Sequence, residues 1–246
     1  MNNYAAVVEY DGTNYKGFQA QPGEVRTIQC ELVKVLKVLL GDFEGFCYAG
    51  RTDAGVHAKH QVINFKTEKE LNLYKFKWQA NCLLPPDIVI KEMRAVSEIF
   101  DSRRSATLRE YSYYVSNNNF HSAFLKNYSL LITKKLDIGL MRKAADKFIG
   151  TKDYKSFCND NLGTSLTVRS VYSFKVRNFP DGLLVFKIAA SSFLYNMVRI
   201  IVGTVLEVGR GDRNLESIDG ALEARDRKLA GKIVPAKGLF LTKVLY

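Results

Sequence analysis

Between two apolar runs the chain reads Gly50-Arg51-Thr52-Asp53-Ala54-Gly55-Val56-His57, the stretch whose residue types best suit chemistry. Two glycines bracket an arginine and an aspartate placed two residues apart. Glycine permits tight backbone geometry, so such a loop can hold a carboxylate at the end of a sheet. An aspartate with an ordinary pKa near ~3.9 is ionised at neutral pH and can act as nucleophile or base. The same residues also suit a surface turn in which Asp53 only caps the backbone. Residue types alone leave both readings open.

Two further segments carry groups of interest. Arg109-Glu110-Tyr111-Ser112-Tyr113-Tyr114, preceded by Arg103-Arg104, interleaves cations with aromatics. Such a run can stack nucleobases while contacting phosphates, or can simply form a half-buried strand. In Ser192-Phe193-Leu194-Tyr195-Asn196-Met197-Val198-Arg199-Ile200-Ile201, Arg199 stands in an otherwise apolar helical pattern. Its guanidinium must reach water or find an anion, because burying it unpaired costs on the order of several kcal/mol. His57 and His60 lack acidic or thiol companions at metal-ligand spacing, so no metal is expected there. Lys16-Gly17-Phe18 matches only the opening of an RNA-recognition motif, and no Walker A or GxGxxG fingerprint is present.

The elements that must position these groups alternate between strands and helices. Residues 4–10 are β-prone and end at the turn signal Asp11-Gly12. A helix is predicted from Thr27 to Leu40, with Ile28, Leu32, Val35, Leu36 and Leu39 as its apolar stripe, Thr27 as cap and Gly41 as terminator. Strands are predicted near 44–49 and 61–65, a helix at 68–80, and a strand at 88–95 after Pro85-Pro86. In the second half, Tyr111 to Val115 is β-prone and Asp137 caps a helix running to Phe148. Strands near 171–176 and 184–190 form a hairpin about Pro180-Asp181-Gly182. A helix from Ser192 to Val208, a short helix near 215–223 and a strand near 239–245 complete the chain. The pattern predicts an α+β fold with a largely antiparallel sheet and helices on one face. Two halves are expected, residues 1–100 and 101–246.

Thirty-six Lys and Arg against twenty-five Asp and Glu leave a net charge of +11 in 246 residues. That excess favours an anionic partner and salt-sensitive association, nucleic acid foremost. The N-terminal MNNYAAVVEYDG has no signal-peptide pattern, and the apolar runs are too short to span a bilayer. Cys30, Cys47, Cys82 and Cys158 are scattered, without a CxxC pair, as for free thiols in a reducing compartment. A cytoplasmic protein with no membrane partner is expected.

In order along the chain come YDGTNYKGFQAQ, VRTIQCEL, GRTDAGVHA, NCLLPPDI, SATLREYSY, FLYNMVRIIVG and PAKGLFL. Together these segments closely resemble the bacterial tRNA pseudouridine synthase A family, with GRTDAGVH as the most specific block. The resemblance implies two related α/β halves that share a central, mostly antiparallel sheet, with a cleft between them. It implies a homodimer that binds tRNA across both subunits. The implied reaction is isomerisation of uridine to pseudouridine at positions 38, 39 and 40 of the anticodon stem-loop, without metal or organic cofactor. By the same resemblance Asp53 is the catalytic aspartate and Arg51 the arginine that helps displace the target nucleotide. Tyr111 is the tyrosine that stacks on the uracil, and Arg199 is the arginine paired with the aspartate.

Three segments depart from the family pattern. Gly17-Phe18-Gln19 stands for GWQ, His60-Gln61-Val62-Ile63-Asn64-Phe65 for GQVxHF, and Phe100-Asp101-Ser102-Arg103 for FHAR. None touches the implied catalytic set. A competing reading is a non-catalytic RNA-binding module of the same fold, which would not need all four of Asp53, Arg51, Tyr111 and Arg199. A second is the same chemistry on another RNA site.

Overall fold

A computed structural model describes residues 1–159 and 166–246. The chain forms two compact units, Met1–Thr107 with Phe240–Tyr246, and Leu108–Leu239. The division therefore falls at 107/108, and the chain returns to the first unit for its last strand.

The first unit contains β1 (Asn2–Tyr10), α1 (Ile28–Leu40), β2 (Glu44–Tyr48), β3 (His57–Thr67), α2 (Leu73–Leu83) and β4 (Ile88–Val96), and is completed by the C-terminal strand Leu239–Leu245. Strand β1 pairs antiparallel with β3 and with β4, for example Val7 with Val62 and with Glu92. β3 has a divided second edge. Its first residues, His57 and Ala58, pair in parallel with Phe240 and Leu241 of the terminal strand, while Ile63 to Lys66 pair antiparallel with β2.

Helix α1 forms as its sequence dictates. Thr27 Oγ1 accepts from Cys30 N at 3.3 Å, and Gly41, at φ 74°, closes the last turn onto Lys37 O. Ile28, Leu32, Val35, Leu36 and Leu40 are its buried face. Burying each such side chain contributes about 1.5–3 kcal/mol. Helix α2 starts at Leu73 because Asn72 caps it, accepting from Lys75 N at 3.0 Å; the expected start at 68 is too early. The Asn81 carboxamide grips Ile90 of β4 at both its N–H (2.8 Å) and its carbonyl (3.0 Å). Tyr4, Phe65 and Phe76 join strands to helix through ring contacts of 6.2 and 6.1 Å. Asp101 accepts from the Arg103 and Arg104 N–H groups at 2.8 and 2.9 Å, so the acid in Phe100-Asp101-Ser102-Arg103 closes a turn.

The second unit contains β5 (Leu108–Ser116), β6 (Leu130–Leu131), α3 (Ile138–Asp146), β7 (Gly150–Asp153), β8 (Val168–Asn178), β9 (Leu183–Ala190), α4 (Met197–Gly209) and α5 (Ser217–Ala224); the terminal strand of the first unit is thus β10. Its strands lie in the order β5-β9-β8-β7, all antiparallel, with β6 parallel to β5. Asp137 caps α3 by accepting from Leu140 N at 2.8 Å. Phe148 meets Phe157 edge-on at 4.9 Å, and a row from Phe148 through Phe174 to Phe186 spans the core. Strand β7, four residues long and starting directly after Ile149, was not expected from the sequence.

Helix α4 begins at Met197 rather than Ser192. Asn196 adopts a left-handed backbone, φ 60°, and the residues before it form a loop. From there Ile200, Ile201, Val202, Val205 and Leu206 are fully buried. The architecture is α+β with mostly antiparallel strands in each unit. Among the described residues no helix is long and apolar enough to cross a membrane, and the four cysteines are free thiols.

Candidate active site

The loop between β2 and β3 is fixed on both sides of Asp53. Before it, Gln61, fully buried, grips Gly50: its Nε2 donates to Gly50 O at 2.7 Å and its Oε1 accepts from Gly50 N at 3.3 Å. One residue from Asp53, the buried Thr52 shares a 2.6 Å hydroxyl hydrogen bond with Tyr10, and its carbonyl accepts from Phe18 N at 3.0 Å. Burial pushes the Tyr10 phenol well above its ordinary pKa, so it stays neutral and able to donate. After it, Val56 N donates back to Asp53 O at 3.1 Å, closing a turn in which Gly55 takes φ 76°.

A second loop, Asp11 to Phe18, supports the first. Its conformation is set locally by Asp11, whose Oδ1 accepts from Thr13 N and Oγ1, and by Tyr15 N donating to Gly12 O. Two of its glycines are required for the approach. A Cβ on Gly12 would sit 2.0 Å from Val56 O, and one on Gly17, at φ 98°, would sit 2.9 Å from Thr52 O. His57, 1% exposed, stacks on Phe240 at 4.4 Å. Its Nδ1 lies 3.1 Å from Gly12 N and 3.0 Å from Asp11 Oδ1, and one ring nitrogen cannot accept from the first while donating to the second. Either arrangement makes His57 a strut between the two loops. Among the described residues no group of three or more His, Cys, Asp or Glu could hold a metal ion.

Out of this framework Asp53 emerges half-buried, flanked by the exposed Arg51 and Ala54. The backbone around a carboxylate is therefore immobilised by buried partners while the residue itself keeps contact with solvent. A carboxylate on a fixed backbone with access to solvent meets two requirements for attack on an electrophilic carbon or for taking a proton.

Tyr111 and Arg199 belong to the second unit. Tyr111, on β5, is 7% exposed and meets Phe193 edge-on at 5.2 Å. Arg199, in the first turn of α4, is half-buried; its Nε donates to Val234 O at 2.8 Å and its Nη1 to Asn196 Oδ1 at 2.9 Å. The guanidinium expected to snorkel or find an anion thus has a backbone carbonyl and a side-chain amide among its partners. Burial raises the pKa of neighbouring Tyr113, partly offset by the Arg199 charge, and its hydroxyl donates to Pro235 O at 2.8 Å. The segment Ser191–Asn196 links these groups: Ser191 O accepts from Arg109, Phe193 backs Tyr111 and Asn196 holds Arg199. Arg51 and Asp53 thus share one loop of the first unit, and Tyr111 and Arg199 are joined through one segment of the second.

Sequence reasoning gave no supporting role at the site to Gln61, Tyr10, Thr52, Gly12 or Asn196. A polar Gln61 directly before the apolar Val62-Ile63 pair and the proximity of Asn196 to Arg199 in the chain were the available signals.

The family model described as tRNA pseudouridine synthase matches residues 144–246. The tRNA pseudouridine synthase A of Bacillus pumilus (strain SAFR-032) is 42% identical over 241 residues, covering 97% of both chains. That of Geobacillus sp. (strain WCH70) is 44% identical over 97% of this chain and 96% of its own. That of Acetivibrio thermocellus is 40% identical over 100% of both. With full-length identity at this level, the chain belongs to the tRNA pseudouridine synthase A family.

Proposed function

We propose that this chain isomerises uridine to pseudouridine in tRNA, at positions 38, 39 and 40 of the anticodon stem-loop, with Asp53 as nucleophile. Pseudouridine synthases are isomerases, and family membership supports that reaction class and a tRNA substrate. The observation that carries the reading is the bracing of the Gly50–Val56 loop by Gln61, Tyr10 and Phe18 around a half-buried Asp53.

The reaction breaks the C1′–N1 bond, turns the uracil and joins C1′ to C5; the C5 hydrogen leaves as a proton and N1 gains one. The Asp53 carboxylate adds to the substrate, at C6 of the ring or C1′ of the sugar, and is later expelled, dividing one difficult change into smaller steps. By the family resemblance Arg199 is the arginine paired with Asp53, and an opposite charge in that role would favour the ionised carboxylate and orient it. A target in a paired stem must be extruded at a cost of roughly a few kcal/mol. Arg51 helps displace it, and the Tyr111 ring holds the flipped base. The charge of +11 supplies phosphate attraction that offsets the extrusion. No metal or organic cofactor takes part in this scheme. The family resemblance implies a homodimer, which sedimentation at micromolar concentration tests, and the scattered cysteines fit the expected cytoplasmic location.

A non-catalytic RNA binder is the competing reading, and the intact set Asp53, Arg51, Tyr111 and Arg199 favours the enzyme. Mapping pseudouridine in tRNA from cells lacking this chain tests the site: loss at positions 38–40 is expected. Retention there, with loss at another position, contradicts the assignment.

A further inference from the structure

The connection from β5 to β6 carries a feature that the proposed reaction does not use. Its backbone is well anchored. Asn117 N donates to Gly182 O at 2.8 Å, and its carboxamide donates to Ile132 O and Lys134 O at 2.8 and 3.0 Å. Asn118 reaches Asp181 O at 2.9 Å. A turn is closed by Leu125 N on Ser122 O, Ser129 Oγ holds Leu125 O, and Lys237 Nζ donates to Lys126 O at 2.7 Å.

On this anchored backbone, Phe120 and Phe124 stand 84% and 87% exposed. Single exposed apolar residues are ordinary, but two aromatics four residues apart on a fixed loop mark a contact surface. From Asn117 to Leu136 the chain has Lys126, Lys134 and Lys135 and no acidic residue, and of the three Lys134 is ion-paired with Asp212 at 3.1 Å. That charge selects the partner. A second copy would bring the same cations against themselves, whereas a polyanion with flat apolar rings complements both the lysines and the aromatics.

We propose that this loop is a second tRNA contact, in which Phe120 and Phe124 stack on unpaired bases and Lys126 neutralises adjoining phosphate. The inference rests on the tRNA reading above. The test is filter binding of unmodified tRNA at fixed ionic strength, with steady-state kinetics and sedimentation, for wild type, Phe120→Ala/Phe124→Ala, Phe120→Leu/Phe124→Leu and Phe120→Tyr/Phe124→Tyr. Because both side chains lie in solvent, all variants should fold, as circular dichroism would verify.

The Ala and Leu pairs are expected to bind about tenfold more weakly and to raise KM with kcat unchanged, while the Tyr pair stays near wild type. Wild-type affinity in the Ala pair overturns the inference alone. Weakened binding accompanied by a shift to a smaller sedimenting species assigns the loop to a second copy and also overturns it. If wild type neither binds nor modifies tRNA, the proposed function fails, and this inference with it.

Discussion

Gln61 holds Gly50 by both ends of its carboxamide, donating to the Gly50 carbonyl at 2.7 Å and accepting from the Gly50 N–H at 3.3 Å. A side chain here imitates a neighbouring strand, satisfying a backbone unit that β3 leaves unpaired as the chain turns toward Asp53. Removing it leaves two part-buried polar groups without this partner, each costing up to about 1–3 kcal/mol. Gln61→Ala is therefore expected to lower kcat by about tenfold or more while KM for tRNA changes little. Gln61→Glu keeps the acceptor but sets an oxygen against the Gly50 carbonyl, and should not restore the rate. Single-turnover rates beside tRNA binding constants check this.

Gly12 packs its backbone where Val56 O leaves no room for a Cβ, at 2.0 Å. Gly12→Ala must move one of the two loops, so both the melting temperature and the catalytic rate are expected to fall. Gly23, whose added Cβ would meet nothing within 4 Å, is a surface control for crowding, although its φ of 82° adds strain of its own. Comparing the two variants by thermal melting and turnover separates backbone strain from loss of the close approach.

Arg199 is held from its own unit by Val234 O and Asn196 Oδ1. Arg199→Met, similar in length, is expected to abolish turnover while leaving tRNA affinity within about threefold of wild type. Lysine cannot reproduce the planar fork that meets both acceptors, so Arg199→Lys should recover little. A large loss of affinity with preserved turnover would make Arg199 a phosphate contact instead.

Burial alone would raise the pKa of Asp101, but the N–H groups of Arg104 and Arg103, the Cys47 thiol and the Arg104 charge bring it below its ordinary 3.8. Asp153 is lowered in the same sense: the Thr167 hydroxyl, Lys155 N–H and the Arg225 charge outweigh its burial. A depressed carboxylate contributes stability that is present above its unfolded pKa and lost as pH falls through the folded value. Melting temperature is thus expected to drop below about pH 4, and Asp101→Asn, which can still accept from both N–H groups, should flatten that drop. Thermal melts between pH 3 and 7 measure it.

Much of the fold was legible locally. Thr27 and Gly41 bound α1 because caps are local chemistry, and Pro180-Asp181-Gly182 turns β8 into β9 for the same reason. What sequence reading missed depends on distant partners. β3 was expected to begin near 61, yet it begins at His57, where Phe240 and Leu241, from the far end of the chain, pair with His57 and Ala58 and Tyr10 of β1 pairs with Ala58. Helix α4 was expected five residues too early because Ser192 to Tyr195 continue its apolar character, and only the left-handed Asn196 stops it. At the site, the bracketing glycines of Gly50–Gly55 were visible as a turn that can present Asp53. Tyr10 and Gln61 were not, because a polar side chain in a strand reveals its partner only after folding.

The most direct test of the account is tritium release from tRNA labelled at uridine C5, comparing wild type with Asp53→Asn. The substitution preserves shape and removes the charge, so tRNA binding is expected to persist. If Asp53 is the nucleophile, wild type releases tritium as C1′ joins C5, and Asp53→Asn releases none above background. Release by Asp53→Asn at the wild-type rate would contradict the account.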